Sequence, residues 1–419
     1  MRILNVSQNY FVVGGMDVAM FTLERVLRDH GHAVIPFAAA DAANAETPFA
    51  GYFPAAPRTE ASGASLLRTL YAPGARAALA RLLDEHPVDL VHLHSYFKRL
   101  TPAILPELRR RGLPVVQTLH EYRAVCPVST LFRDGHVCTD CAHGAYAHVI
   151  RHRCAGGSLA RSAWNYAEMR LSDWLGHKRD IARFVTVSDY QRDMLIAMGM
   201  EADKLVTVHH PVELPPAPPD PRAGEHVLFF GRLETAKGAD LLPEIAAGLA
   251  DAGLEDAGLR DAGVGNARLV IAGDGSRRAE IARAVDARGL TNVVFAGMLR
   301  GAALDDAIAR ASCVIVPSLW PEAFGLTAVE ALAHGTPVVA SAIGGMLDTV
   351  RDGVDGYLVP PGDVAAMVER VRRLVADPAR ARAMGLAGRA RMATDFSADV
   401  FYDRTMRVYE DALRVRQGG

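Results

Sequence analysis

Residues 317–340 read PSLWPEAFGLTAVEALAHGTPVVA. An apolar run, Cys313-Val314-Ile315-Val316, stops at Pro317, and a second, Val338-Val339-Ala340, follows Gly335-Thr336-Pro337. Between them Leu326, Val329, Leu332 and Ala333 recur as on a helix face buried against a sheet. Gly335 is a C-terminal stop and Pro337 cannot continue a helix. The stretch therefore reads strand, loop, helix, turn, strand, one step of a parallel α/β layer. Glu322 falls in the loop and Glu330 in the helix. With a helix beginning near Phe324, the N–H groups of Gly325, Leu326 and Thr327 point into the crevice, and a helix N-terminus there is an anion site. Carboxylates at two depths beside it suit the hydroxyls of a sugar. Taken alone, the pair fits equally well a loop carboxylate favouring the helix dipole and a solvated helix position.

The same βα rhythm extends upstream. Strands are predicted over 227–230, 269–272, 293–295, 314–317 and 338–341, each ending in glycine or polar residues, as expected where strand ends line a crevice. After the first of them, Arg232 and Lys237 stand five apart between Gly231 and Gly238. Fixed cations at a strand-to-helix junction suit a diphosphate whose negative charge grows as a bond breaks; solvated surface charge is the bland alternative. Gly273-Asp274-Gly275 ends the next strand and allows close backbone approach, as a base or ribose would require. Before this series, residues 215–221 hold five prolines in seven positions, which predicts a stiff linker between two domains. Residues 250–264 read ADAGL-EDAGL-RDAGV, a period of five that fits neither helix nor strand and is expected to be a surface loop.

The 419 residues suit two domains. With 50% hydrophobic and 22% charged residues and a net charge of -2, the chain is globular and carries no nucleic-acid footprint. Residues 1–6 read as a short strand rather than a signal peptide, and no apolar stretch approaches the roughly 20 residues of a membrane helix. A cytoplasmic protein with reduced or metal-bound cysteines is expected.

The first half opens on a strand over 3–6, a loop reaching Gly14-Gly15, a helix over 16–29 and a strand over 33–37, a βαβ start to a parallel sheet. The glycine pair lets a ligand approach before the helix, but it lacks the dinucleotide pattern G-x-G-x-x-G; a plain turn fits as well. Residues 40–75 read as an irregular excursion, and a helix is expected over 76–83. Strands follow over 88–94 and 115–119, with His94 and His120 at their ends, where open α/β sheets bind ligands. A helix over 164–174 and strands over 184–188 and 205–211 complete this half. Residues 126–154 break the pattern and look loop-like. Cys126, Cys138, Cys141 and Cys154 cluster there, and four thiolates, two of them spaced C-x2-C, form a candidate structural zinc site. Four unrelated reduced thiols are the alternative.

GRLETAKG (231–238), IAGDG (271–275), PSLWPEAFGLTAVEALAHGTPVVAS (317–341) and GG…DGVDGYLVPPGD (344–363) together resemble the retaining glycosyltransferases of family 4, glycosyl transferases group 1. The resemblance spans nearly the whole chain and is strongest over 227–363. It implies the GT-B fold, an α/β architecture of two Rossmann-like domains whose parallel sheets face a central cleft. It assigns Arg232 and Lys237 to the donor diphosphate, Glu322 to the donor sugar hydroxyls, Glu330 to the ribose, and backbone amides near Phe324, Gly325, Leu326 and Thr327 to phosphate. Gly14, Gly15, Gly273, Gly275 and His120 would face the same site. Three stretches depart from the family: Gly344-Gly345 is followed by Asp348 rather than Glu, a frequent Asn-Gly is His210-Pro211, and Gly-Gly-x-Glu is Gly14-Gly15-Met16-Asp17.

The reading is an acceptor domain over 1–211 with a Cys-rich insertion at 126–154, a linker over 212–224, a donor domain over 225–395, and a helix over 396–419 returning to the first domain. The expected activity moves a sugar from a nucleotide-diphosphate-sugar to a hydroxyl acceptor, a saccharide or lipid-linked glycan, with retention. No Asp-x-Asp metal motif is present, so no catalytic metal is expected and Arg232 and Lys237 supply the positive charge. Arg109-Arg110-Arg111 and Lys98-Arg99 are candidates for peripheral contact with anionic lipid. A nucleotide-sugar 2-epimerase of the same architecture and a non-catalytic nucleotide-sugar binder stay open as alternatives.

Overall fold

The computed structural model describes residues 1–57, 67–215, 224–251 and 268–417. Most of the proline-rich linker and of the five-residue repeat lies outside the described residues. The strands in chain order are β1 (Arg2–Val6), β2 (Ala33–Phe37), β3 (Leu90–Leu93), β4 (Val115–Leu119), β5 (Phe132–Arg133), β6 (His136–Val137), β7 (Arg183–Thr186), β8 (Leu205–Thr207), β9 (His226–Phe230), β10 (Leu269–Ala272), β11 (Val293–Gly297), β12 (Ala311–Val316), β13 (Val338–Ser341) and β14 (Gly356–Val359). They form two six-stranded parallel sheets, ordered β2-β1-β3-β4-β7-β8 and β11-β10-β9-β12-β13-β14, and one antiparallel hairpin, β5-β6.

Each sheet belongs to its own compact unit. The first unit comprises Met1–Leu131, Thr139–His210 and Ala398–Gly419; the second comprises Phe132–Cys138 and Pro211–Ser397. The second begins at Pro211 and reclaims the short hairpin from inside the Cys-rich segment. That hairpin turns on Asp134 and Gly135, both at positive φ (52° and 83°), the backbone a two-residue Asp-Gly turn adopts.

Both sheets are buried on both faces, which is why their strands are apolar runs rather than alternating ones. In the first unit the helix Pro73–Glu85 buries Ala75, Leu79, Leu82 and Leu83 on one face. The opposite face is covered by the helix Gly15–Asp29 and by the helix Ala398–Gln417, whose Phe401, Val408, Tyr409 and Ala412 lie one or two turns apart and pack with Ile3, Leu23, Leu90, Val116 and Val185. In the second unit Val368, Val371 and Val375 of the helix Val364–Ala376 close the core over β9 and β12.

The strand order decides where a ligand fits. From β9 the chain moves outward through β10 to β11 and then returns to β12 on the other side of β9. The crevice between the ends of β9 and β12 is thus a topological switch point, the usual binding place in open α/β sheets. In the first unit the corresponding point lies between β1 and β3.

Candidate active site

In the second unit, the loops leaving β9, β10 and β12 are laced by their backbones. Gly231 and Leu233 donate to the carbonyls of Ala272 and Asp274 at 3.0 and 2.9 Å, and Leu319 and Trp320 both donate to the Ala236 carbonyl, at 2.9 and 3.3 Å. Such approach leaves no room for side chains at three points. A Cβ on Gly238 (φ +70°) would lie 1.8 Å from the Pro317 carbonyl oxygen, and one on Gly273 would lie 1.9 Å from that of Gly231. Gly275 is crowded in the same way by Leu233. The space beside Gly273 and Gly275 is therefore taken by the chain's own loop, and packing alone accounts for these two glycines.

Lacing the loops brings the two motif residues together. Lys237 Nζ lies 2.8 Å from Glu322 Oε2, with side chains 19% and 6% exposed. Ser318 Oγ donates to the other oxygen of Glu322, and the Glu322 carbonyl accepts the Gly345 amide at 2.7 Å. Lys237 also sits 5.7 Å from the centroid of the Trp320 ring. A carboxylate this buried is partnered on both oxygens, by its cation and by its hydroxyl donor. Arg232 is exposed, and its side chain has no ion pair among the described residues, so it is available to an incoming anion.

The helix Leu326–Ala333 begins two residues later than its sequence start near Phe324. Its N-cap is Gly325 in the left-handed conformation (φ 93°, ψ 52°), and no side chain caps its first turn. A glycine cap leaves the first-turn donors to an anion rather than to the chain. Glu330 is exposed by area yet flanked closely enough that its carboxyl is pushed up to about 7, first by desolvation and then by Asp305. The two observations agree if the carboxyl lies in a recess, open to water on one side. Asp305 itself contacts the His334 ring at 3.2 Å.

The first unit holds a ladder of buried imidazoles at its strand ends. His92 reaches Tyr409 Oη at 2.6 Å and Thr118 Oγ1 at 2.7 Å. His94 reaches Asn5 Oδ1 at 3.0 Å through Nε2 and His120 Nε2 at 2.8 Å through Nδ1. His120 in turn stacks on His210, with centroids 5.2 Å apart and planes 11° from parallel. Burial pushes all four rings down, His92 to about 3 and His210 to about 4, so they are neutral at pH 7. Neutral rings fix the direction of the chain. The Asn5 oxygen only accepts, so His94 donates through Nε2 and accepts at Nδ1. His120 then donates from Nε2, which leaves its Nδ1 as a hydrogen-bond acceptor.

Residues 13–214 match the family described as Glycosyltransferase Family 4, and residues 216–391 match Glycosyl transferases group 1. A D-inositol 3-phosphate glycosyltransferase of Catenulispora acidiphila is 30% identical over 372 residues, covering 82% of this chain and 79% of that one. The chain is a family 4 glycosyltransferase. A phosphatidyl-myo-inositol mannosyltransferase of Mycobacterium leprae is 32% identical over 57% of this chain and 61% of its own. Among solved structures, sucrose-phosphate synthase from Thermosynechococcus elongatus superposes with TM-score 0.70 at 20% identity, covering 99% of both chains. Anabaena HepE in complex with UDP-glucose does so with TM-score 0.68 at 18% identity, covering 98% of this chain and 100% of that one. At these identities the likeness carries the GT-B fold and no more.

The glycosyltransferase brings Lys237 and Glu322 into contact and sets the Gly325 cap directly behind them in the chain. Ser318 and Trp320 lie in the quoted stretch, but nothing in their spacing marked them as partners of Glu322 and Lys237. The Gly14-Gly15 turn is different. Asp17 is 2% exposed and accepts the Val13 and Gly14 amides at 2.9 and 3.0 Å. The Asp17 carboxylate thus folds back onto the turn. Cys126, Cys141 and Cys154 belong to one unit, yet their sulfurs do not gather into a metal-ligand group, and Cys138 belongs to the other unit. Cys126 is buried, which pushes its thiol up.

The arginine run is also accounted for internally. Arg109 pairs with Asp180 at 3.1 Å, Arg110 with Glu107 at 2.5 Å, and Arg111 with Glu107 and Asp84 at 2.8 and 2.6 Å. Arg99 pairs with Asp41 at 2.8 Å, and Lys98 lines a cavity of about 610 Å³ with Arg161, Trp164 and Glu168. No helix among the described residues is long and apolar enough to cross a membrane.

Proposed function

We propose that this glycosyltransferase moves a sugar from a nucleotide-diphosphate donor to a hydroxyl of a saccharide or lipid-linked glycan, with retention of anomeric configuration. The observation that carries the reading is the Lys237–Glu322 pair beside the glycine-capped helix at the switch point of the second sheet. Lys237 and Arg232 would meet the diphosphate, where leaving-group charge accumulates. Fixed cations aimed at developing charge lower a barrier more than they tighten substrate. Glu322 would accept from the sugar hydroxyls and Glu330 from the ribose. Glu322 is engaged by Lys237 and Ser318, and no other nucleophile among the described residues is assigned to the donor. A front-face reaction follows, in which the departing phosphate oxygen takes the proton of the attacking hydroxyl while the positive charge comes from the two side chains. His120 Nδ1, a lone pair at pH 7, would orient a hydroxyl of the sugar or the acceptor. The UDP-glucose bound by Anabaena HepE makes a uridine donor the first to screen.

The division of labour is testable. Glu322→Gln is expected to lower turnover about 100-fold with little change in affinity for free nucleoside diphosphate. Glu330→Ala is expected to weaken that affinity, with a smaller loss of turnover. Calorimetric titration with the nucleotide reads both variants, and equal affinity losses would reject the assignment. The anomeric configuration of the product, read by proton NMR, tests retention directly.

Glu330 gives a pH signature as well. Its folded value of about 7 lies above the ordinary 4.5. The stability linked to its neutral form is therefore complete below about 4.5 and is lost as pH rises through 7. A ribose donating two hydroxyls prefers the carboxylate, so nucleotide binding between pH 5 and 7 should release a proton. Titrations in two buffers of different ionisation enthalpy should show this release in the native protein, and Glu330→Gln should reduce it to the part that the nucleotide's own terminal phosphate supplies. Proton-neutral binding at pH 6 would remove Glu330 from the ribose.

A further inference from the structure

Between β4 and the helix Leu159–Trp174 the chain carries a segment, all but Phe132–Cys138 of it in the first unit, that the sugar-transfer chemistry does not use. Its backbone is unusual. Of the seven non-glycine residues at positive φ among the described residues, five lie here: Ser129, Leu131, Asp134, His143 and Arg153. Each costs about 1–2 kcal/mol, and such outliers persist where surrounding contacts over-determine them. Regular structure contributes little to that. Beyond the β5-β6 hairpin the segment has a three-residue turn, Ala142–Gly144, and a single helical turn, His148–Arg151.

Three side chains converge on that turn. His148 and His152 are four apart on the helical face, their rings 8° from parallel with centroids 5.8 Å apart. Asp140 reaches them from the preceding loop, and one ligand atom from each of the three lies within 4.8 Å of the others. His152 Nε2 stands 3.5 Å from Asp140 Oδ2. That is long for a hydrogen bond. It matches the roughly 3.4 Å that separates two ligands each about 2.1 Å from a tetrahedral ion. A second observation is independent of this spacing. His148 Nδ1 is buried and has no hydrogen-bond partner among the described residues, a state that normally costs about 1–3 kcal/mol.

We propose that Asp140, His148 and His152 bind a zinc-class divalent cation. Two imidazoles and a carboxylate are a borderline donor set, suited to zinc and unsuited to magnesium or calcium. Water fills the fourth position. The ion cross-links the loop before the helical turn to the turn itself and holds the strained backbone around it. The ligands are thus the imidazoles and the carboxylate rather than the four thiols, and the metal is a clamp on the first unit.

The test uses the full chain without an affinity tag, stripped by dipicolinate and dialysed. Zinc is titrated against a chromogenic chelator while the melting temperature is followed. One zinc per chain is expected, with a rise in melting temperature that magnesium does not reproduce. His148→Ala and the near-isosteric Asp140→Asn should each weaken zinc at least about 100-fold, since even outer-shell partners cost about 10–100-fold. Asp140 is exposed, so Asp140→Asn keeps the fold testable if the histidine variant does not fold. Cys141→Ser with Cys154→Ser should leave stoichiometry and affinity unchanged. Zinc that survives both ligand variants, zinc lost in the cysteine variant, or no binding at micromolar zinc would each overturn the proposal.

Discussion

Lys237→Ala is expected to reduce sugar transfer by about 10²–10³-fold, the cost of removing one fixed charge from the place where leaving-group charge develops. The same substitution strikes the resting protein. Glu322 would keep Ser318 as a donor but lose its cation at 2.8 Å while only 6% exposed. An orphaned buried carboxylate costs about 3–5 kcal/mol, reduced here because Lys237 itself is partly open to water. The double variant Lys237→Ala/Glu322→Gln separates the two effects. Removing the stranded charge should recover most of the melting temperature, whereas turnover should stay at the level of the single variant or below. If the double variant regains both, the loss in Lys237→Ala comes from misfolding and the diphosphate assignment falls. If Lys237→Ala turns over normally, the assignment falls outright.

Gly238→Ala should be as damaging by a different route. The residue is at φ +70°, and a new Cβ would meet the Pro317 carbonyl at 1.8 Å. Neither atom belongs to a flexible side chain, so the β9 and β12 loops must part. Destabilisation of about 4 kcal/mol or more is expected, in the range reserved for strain and overpacking. Gly353→Ala is the control. It has nearly the same φ, +74°, and open space around it, so it bears only the roughly 1–2 kcal/mol of left-handed backbone. The difference between the two melting curves measures the contact itself. Equal shifts would mean the loops are not pressed together as described.

How much of this was legible in the sequence depended on the range of each interaction. The strands 115–119, 269–272 and 338–341 match β4, β10 and β13 end to end, because a buried parallel strand is an apolar run with a polar or glycine stop. β12 starts earlier than its apolar run suggests, at Ala311-Ser312, since pairing with β9 recruits residues whose composition is neutral. β14 was missed: four residues between Asp355 and Pro360 have no period long enough to read. The β5-β6 hairpin has only two residues a side, too few for an alternating pattern, so Asp134-Gly135 is its one signal in the sequence. Motif residues in the second half were legible because their loops are short and their partners lie in the same motifs. The histidine ladder was not, because Asn5, His92, His120, His210 and Tyr409 are separated by tens to hundreds of residues. The departure at His210 acquires a reason only in three dimensions, as the ring that stacks on His120.

The first unit is assembled from chain segments that leave the ribosome at very different times. Its sheet is complete once residue 207 has emerged, but Phe401, Tyr409 and Ala412, which cover Ile3, Leu90 and Val116, come only after the whole second unit. His92 waits 317 residues for the Tyr409 hydroxyl and His32 waits 370 for that of Tyr402. During synthesis the part of the first sheet's apolar face that this helix covers therefore stays open until the residues of the second unit have been made. A released chain ending at residue 397 should hold a protease-resistant second unit beside a labile first one. The helix Ala398–Gln417 thus closes one face of the first sheet only after the residues of the second unit have been made.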